Sequence, residues 1–360
     1  MIEKLTFKGD RIILAIVILL SLLSVMMLAS AGDRWIEQLR NFAIGFFLLF
    51  LFYHIDYRVV SRFATPLLIF AGVLIFYGVV QYLITHKAIR SINVFGYDLQ
   101  IFYFIGFCVL IYMAKYLAKK LNAEEKLSQK EHLKLFGVTL LFCGGIFISN
   151  QSTAIILFCT CIVVLFVGRA KLSYLITFCA VMFLFVYLLF ALNLGRGDTF
   201  RNRLTYWKYD RSVPGMDKGY GKQAVLSRAA IATASWLPTH VGKGTIKKVL
   251  QEKDNDYIYA ILVEEMGLLV GIVVLFLYFI ILYRTMRIAR NAEGAFAMLL
   301  AWSIGFWFCM QALIHIGVNS FLIPATGQTL PFVSRGGMSL VISGMAIGIL
   351  MNISKREVYL

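Results

Sequence analysis

The chain has 360 residues, 60% of them hydrophobic, a mean hydropathy of +0.79 and a formal net charge of +16. Apolar runs this long and this numerous exclude a soluble globular domain and require a membrane as solvent. There is no phosphate-cradling loop ending in Lys-Ser or Lys-Thr and no dinucleotide fingerprint, which argues against ATP use, and nothing calls for a nucleic acid partner.

Hydropathy predicts an all-α integral membrane protein of about ten transmembrane helices, at roughly 11–31, 39–55, 63–84, 101–118, 135–150, 153–168, 172–193, 257–283, 296–318 and 337–353. The first lacks a convincing small-residue cleavage site and reads as an anchor. Lys and Arg crowd the segments 55–62, 115–134, 169–171 and 284–290 and both ends, whereas the short intervening loops hold only Arg34, Arg40, Lys87, Arg90 and Arg335. That bias puts both termini in the cytoplasm. Residues 1–360 read as one polytopic domain with one large extracytoplasmic loop, about 194–256. The six cysteines lie in apolar runs without metal-ligand spacing and read as buried filler.

The large loop carries twelve Lys/Arg against six Asp/Glu, a positive outer surface suited to a lipid phosphate. Arg203, Tyr206, Trp207, Lys208 and Tyr209 mix cations with aromatics, as at a membrane interface. A small-residue helix over 223–234 and a turn at Gly242-Lys243-Gly244 follow, together an interfacial or re-entrant element.

The eighth span opens on Asp254-Asn255-Asp256. Asp256 has two readings: a helix N-cap, or a general base at the mouth of a cavity whose partial desolvation would raise its basicity. Glu264 and Glu265 sit two turns deeper, where a carboxylate is costly and faces the bundle interior. Their expected role is structural, anchoring helix packing, and Glu264, Gly267 and Gly271 fall on one helical face as a close-packing seam. His315 and Asn319 close the ninth span, as a self-satisfied polar helix end or as metal ligands. Between the last two spans, residues 324–337 hold two Pro, three Gly and Arg335. Such backbone survives at membrane depth only where protein or a water-filled cavity covers it, so it is a candidate site wall. Arg335 reads as a snorkelling residue or as a ligand for phosphate or for Asp256. Gly337, Gly344 and Gly348 predict a second tight seam.

Several blocks in order resemble the SEDS family (shape, elongation, division and sporulation), the family of FtsW and RodA. Asn255-Asp256-Tyr257-Ile258-Tyr259-Ala260 followed by Glu264-Glu265-x-Gly267 is similar to one family block, and Asn319 through Gly336-Gly337 to the most specific one. Asn150-Gln151-Ser152-Thr153-Ala154 and the segment from Gln223 to Gly244 resemble two more. Thr329 before Leu330-Pro331 resembles the FtsW branch more than the RodA branch. The chain departs from the family at Gln100, where a Pro-Ser-Glu run is missing, and at Ser91, Arg335 and Met338.

The resemblance implies a peptidoglycan glycosyltransferase that polymerises lipid II at the outer face of the bacterial cytoplasmic membrane, in division or, alternatively, in elongation. It implies Asp256 as base, and Arg90, Arg203, Lys208, Lys243, Arg335 and Asn319 as substrate-binding residues, with a divalent cation (Mg or Mn) as a further candidate. The implied partners are a class B penicillin-binding protein, other division or elongation proteins and membrane lipids. A lipid tail would need a groove between helices, which the Gly-lined spans could border. The competing readings are a flippase or other transporter for a lipid-linked precursor, and an inactive scaffold.

Overall fold

The computed structural model describes residues 8–32, 35–85, 92–94, 97–99, 101–191, 203–205, 207, 219–238 and 242–356. The predicted sites Arg90 and Lys208 lie outside the described residues, as does Gln100. The elements are α1 (Arg11–Ala31), α2 (Trp35–His54), α3 (Tyr57–Thr85), a two-stranded antiparallel hairpin of β1 (Ile92–Val94) and β2 (Tyr97–Leu99), α4 (Ile101–Asn122), α5 (Gln129–Ser149), α6 (Gln151–Val167), α7 (Leu172–Ala191), α8 (Gly219–Ala232), a 3-10 turn (Ile246–Lys248), α9 (Ile258–Arg290), α10 (Ala295–Asn319) and α11 (Gly337–Ser354). Eight of these helices are long and apolar enough to cross a membrane. The sixth and seventh predicted spans correspond to shorter apolar helices, Gln151–Val167 and Leu172–Leu188.

Several helices outrun the hydropathy boundaries because their polar ends are locally satisfied. Ser128 and Glu131 form a reciprocal capping box, so α5 starts at Gln129, a turn and a half before its apolar run. α9 continues to Arg290 because Arg284 pairs with Asp10 at 2.5 Å, and Asp10 itself caps α1 through the Ile12 and Ile13 N–H groups. The same end of the bundle holds the Arg356–Asp56 and Arg58–Glu293 pairs. The start of α1, the α2–α3 and α9–α10 turns and the end of α11 therefore share one side, as an even number of crossings requires.

α4, with 83% of its apolar window buried, is the central post, with α10 (67%) and α11 (72%) against it; α3 (17%) and α9 (28%) face outward. α11 packs on α2 where Gly344 and Gly348 meet the carbonyls of Gly45 and Leu49 so closely that neither could carry a Cβ. Gly337 is not part of that seam, since nothing lies within 4 Å of its Cβ position. It opens the helix instead.

The other predicted seam is also corrected. Gly267 has φ +84°, which breaks α9 in two, so it does not share a helical face with Glu264 and Gly271. The chain after α8 fills the break: Leu268 N–H donates to Ser235 O at 2.9 Å and Leu269 N–H to Trp236 O at 3.2 Å. A Cβ on Gly267 would sit 2.8 Å from Trp236 O. The break lies about 13 Å along α9 from its start, at 1.5 Å per residue. The loop thus folds back against the break, and the backbone donors freed there are satisfied by its carbonyls. Trp236 (69% exposed) and Leu237 (61%) turn their apolar side chains outward, away from the protein.

Candidate active site

The non-helical segment between α10 and α11 is held from every side. Ser24 Oγ on α1 donates to Val333 O at 2.6 Å, Tyr278 on α9 donates to Pro331 O, and Ser152 on α6 donates to Thr326 O at 3.0 Å. Gln328 donates to Thr153 Oγ1 at 3.0 Å and its carbonyl meets His315 Nδ1 at 2.7 Å. Tyr103, Gln311, Gln328 and Thr329 join in one buried network with contacts of 3.1–3.2 Å. A fixed, water-poor wall of this kind holds its dipoles in place before a ligand arrives.

Against this wall lies Asp256. The N-cap of α9 is Tyr257, and the first-turn Ala260 N–H is taken by Asn319 Oδ1 at 3.0 Å, so the capping reading of Asp256 is not realised. Its half-buried carboxylate faces Gly327 instead: a Cβ on Gly327 would lie 3.3 Å from Asp256 Oδ2 and 4.0 Å from Arg203 Nη2. Gly327, at φ +73°, suits glycine twice over, by conformation and by leaving this gap open. Arg203 is braced by its own bond to Ala325 O at 3.2 Å. A small cleft adjoins the gap, lined by Arg203, Trp207, Tyr257, Phe321, Ile323 and Ala325 among others. Trp207 Nε1 donates to Phe321 O at 3.0 Å, and Phe321 holds φ +62°, rare for a bulky residue and concentrated at functional sites. A carboxylate, a guanidinium and an aromatic wall thus converge at one end of the bundle.

A family model described as a cell cycle protein, covering FtsW, RodA and SpoVE, matches residues 6–359. The chain belongs to this family. A probable peptidoglycan glycosyltransferase FtsW of Trichlorobacter lovleyi is 29% identical, over 96% of this chain and 93% of that one. Stage V sporulation protein E of Bacillus subtilis is 27% identical, over 97% and 98%. Among solved structures, a chain of a peptidoglycan synthase complex that coordinates polymerization and crosslinking superposes with a TM-score of 0.77 at 20% identity, over 97% of this chain and 98% of that one. The rod shape determining protein RodA of Thermus thermophilus superposes with a TM-score of 0.69 at 18% identity, over 97% of each chain. The FtsW–RodA–SpoVE fold is therefore shared over nearly the full length.

On this fold the remaining predicted residues separate. Asn319 is fully buried with its amide spent on backbone groups, so it does not line a substrate surface as expected. Arg335 donates its backbone N–H to Asp254 O at 2.8 Å, while its half-buried side chain makes no ion pair among the described residues. Gly336 is the extended N-cap of α11 and lies against Ser339. At the end of α10, His315 Nδ1 meets the Gln328 backbone carbonyl at 2.7 Å and Asn319 Nδ2 donates to His315 O at 2.8 Å, while His315 Nε2 is buried without a hydrogen-bond partner among the described residues.

Glu264 and Glu265 both grip the loop before α9, and Glu265 also reaches Ser30 on α1. Glu264 Oε1 accepts the N–H groups of Thr245 and Ile246, both at 2.8 Å. Glu265 is completely buried, pairs with Lys247 at 2.5 Å and accepts from Ser30 Oγ and Gly242 N–H. Lys243 stands exposed on the turn so held. Sequence reading missed Ser30, Tyr103, Gln311 and the burial of Lys247. The isolated Gln311 in an apolar helix carried a usable signal, since an amide at membrane depth needs a partner.

Proposed function

We propose that the chain is a peptidoglycan glycosyltransferase that polymerises lipid II, with Asp256 as general base. The observation that carries this reading is the shared gap at Gly327, which the Asp256 carboxylate and the Arg203 guanidinium both face. A hydroxyl of one lipid-linked saccharide attacks the anomeric carbon of another from the side opposite the diphosphate, inverting that centre. Asp256 takes the hydroxyl proton, the new glycosidic bond forms, and the C–O bond to the lipid diphosphate breaks with its electron pair leaving on oxygen. Arg203 offsets the charge that develops on the leaving diphosphate. Arg335 and Lys243 add positive charge that recruits the anion, and Arg90 and Lys208, outside the described residues, are further candidates from the sequence. A divalent cation bound with the diphosphate would supply further charge compensation; among the described residues no cluster of three His, Cys, Asp or Glu could hold one.

The lipid tail needs an apolar groove open to the bilayer. One of about 230 Å³ lies between α5, α6 and α7, lined by Phe147, Ile155, Phe158, Phe183 and Phe185 among others. It begins one turn below Ser152, which touches Thr326 beside the gap. This supports a tail path bordered by aromatic helices, and not by the Gly-lined α9 and α11 that sequence reading favoured. The Lys/Arg-rich end of the bundle, with both termini, is cytoplasmic, so Asp256 works at the outer face of the bacterial cytoplasmic membrane. Similarity to a chain from a synthase complex supports a class B penicillin-binding protein as partner, and Thr329 supports a division role.

The test is polymerisation of labelled lipid II by purified protein, with and without such a partner. Wild type should give long glycan and Asp256→Asn none. Equal product from both removes Asp256 as base; transport of lipid II across vesicles without product from either favours the flippase.

A further inference from the structure

We propose that Asn319 and Ser334 are positioning residues that aim Asp256 through its backbone, a role that rests on the reading of Asp256 as the base. Three successive carbonyls are each taken by a donor from the α10–α11 region. Asp254 O accepts Arg335 N–H at 2.8 Å, Asn255 O accepts Ser334 Oγ at 2.8 Å, and Asp256 O accepts Asn319 Nδ2 at 3.0 Å. Ser334 is itself fixed, because its hydroxyl accepts Leu330 N–H at 2.7 Å.

Asn319 does more than hold one carbonyl. Its Oδ1 accepts Ala260 N–H at 3.0 Å while its Nδ2 donates to Asp256 O. Those two backbone groups are four residues apart, the pair that would close a helical turn. The side-chain amide is inserted between them, so the ring that would draw Asp256 into α9 stays open. Ala260 N–H is shared with Tyr257 O at 3.1 Å, so Tyr257 becomes the N-cap, α9 starts at Ile258 and Asp256 stays outside it. The amide orientation follows from its partners: a backbone N–H must face the oxygen, and the carbonyls of Asp256 and His315 (2.8 Å) must face the nitrogen. Ser227 on α8 donates to Asn319 O at 3.0 Å, tying the loop to the same residue. With the bridge removed, α9 can wind back by up to a turn and swing the carboxylate away from Gly327.

A matched control exists at the other end of the bundle. Asn352 accepts Tyr57 N–H at 3.1 Å and donates to Tyr53 O at 2.8 Å, the same insertion across a four-residue pair far from Asp256. The experiment measures lipid II polymerisation per folded protein, with folded fraction read by size-exclusion chromatography, for Asn319→Ala, Asn319→Asp, Ser334→Ala, Asn352→Ala and Asp256→Asn. Asn319→Asp keeps the acceptor and loses both donors, and Ser334→Ala releases a different carbonyl, so the test does not depend on one variant folding. The expected result is a fall in kcat of at least about tenfold for the Asn319 and Ser334 variants, KM for lipid II within about twofold, and unchanged kcat for Asn352→Ala. The proposal is overturned if KM rises while kcat holds, or if the Asn319, Ser334 and Asn352 variants all behave alike. If Asp256→Asn polymerises like wild type, the base reading fails, whatever the bridge does.

Discussion

The two ends of the bundle use the same chemistry for different ends. At the inner end, Asn352 bridges Tyr53 and Tyr57, and the pairs Asp10–Arg284, Asp56–Arg356 and Arg58–Glu293 close corners between helices. At the outer end, Asn319 bridges Asp256 and Ala260, and Lys247–Glu265 pins a loop. Two of the inner pairs, Asp56–Arg356 (31% and 37% exposed) and Arg58–Glu293, are open to solvent, whereas Asp10–Arg284 (2% and 20%) and the outer Glu265–Lys247 (0% and 6%) are largely buried. Desolvation therefore makes Lys247–Glu265 and Asp10–Arg284 the pairs that are costly to break singly, while at the outer end Arg335, Ser334 and Asn319 hold the backbone that presents Asp256. An inner corner only has to stay closed; the outer one has to hold an acidic side chain off its own helix.

The largest break in that comparison comes from Lys247→Met. It leaves the buried Glu265 carboxylate uncompensated and should cost about 3–5 kcal/mol in an SDS unfolding titration. The double change Lys247→Met with Glu265→Leu should recover most of that, because the penalty belongs to the orphaned charge. If the double variant is as unstable as the single, the pair is held by something other than mutual neutralisation. Next in size are the two amide bridges. Asn319→Ala and Asn352→Ala each strand a buried donor and acceptor, worth about 1–3 kcal/mol by the same titration. Similar stability losses with unequal turnover would sharpen the contrast between the ends.

How far the sequence reached follows from what each signal measures. Hydropathy reports depth in the bilayer, so it located the apolar runs but ended α5 and α9 where the charges began, blind to the Ser128–Glu131 box and the Asp10–Arg284 pair. The Gly- and Pro-rich stretch after α10 was legible as buried irregular backbone because nothing else tolerates that composition there. Gly267 was misread because periodicity treats every residue as helical, and only its positive φ reveals the break. Asn319 was misread for a related reason: a polar residue beside a catalytic block looks like a ligand contact, while its partners are main-chain groups that no side-chain pattern records. Asp256, Arg203 and Gly327 are separated in sequence, and their meeting is a product of the fold.

Gly327→Ala tests the outer end without touching charge. The new methyl must occupy φ +73° and sit 3.3 Å from Asp256 Oδ2. The backbone strain should cost about 1–3 kcal/mol. On the proposed function, polymerisation should fall beyond what the lost stability explains, because the methyl fills the space between the Asp256 carboxylate and the Arg203 guanidinium. Gly337→Ala, where nothing lies within 4 Å, is the matched change that should leave turnover intact.

The smallest expected effect lies at the inner end. Arg356→Ala removes a pair of 3.0 Å with Asp56 and a cation held 5.9 Å from the Tyr57 ring centroid. Both partners keep a third of their surface in solvent, so most of the Coulomb attraction is screened. The loss should be about 0–1 kcal/mol and should shrink further in high salt, with turnover unaffected. A loss as large as that of Lys247→Met would mean that the two ends do not differ in kind, and that burial is not what separates a corner from a site.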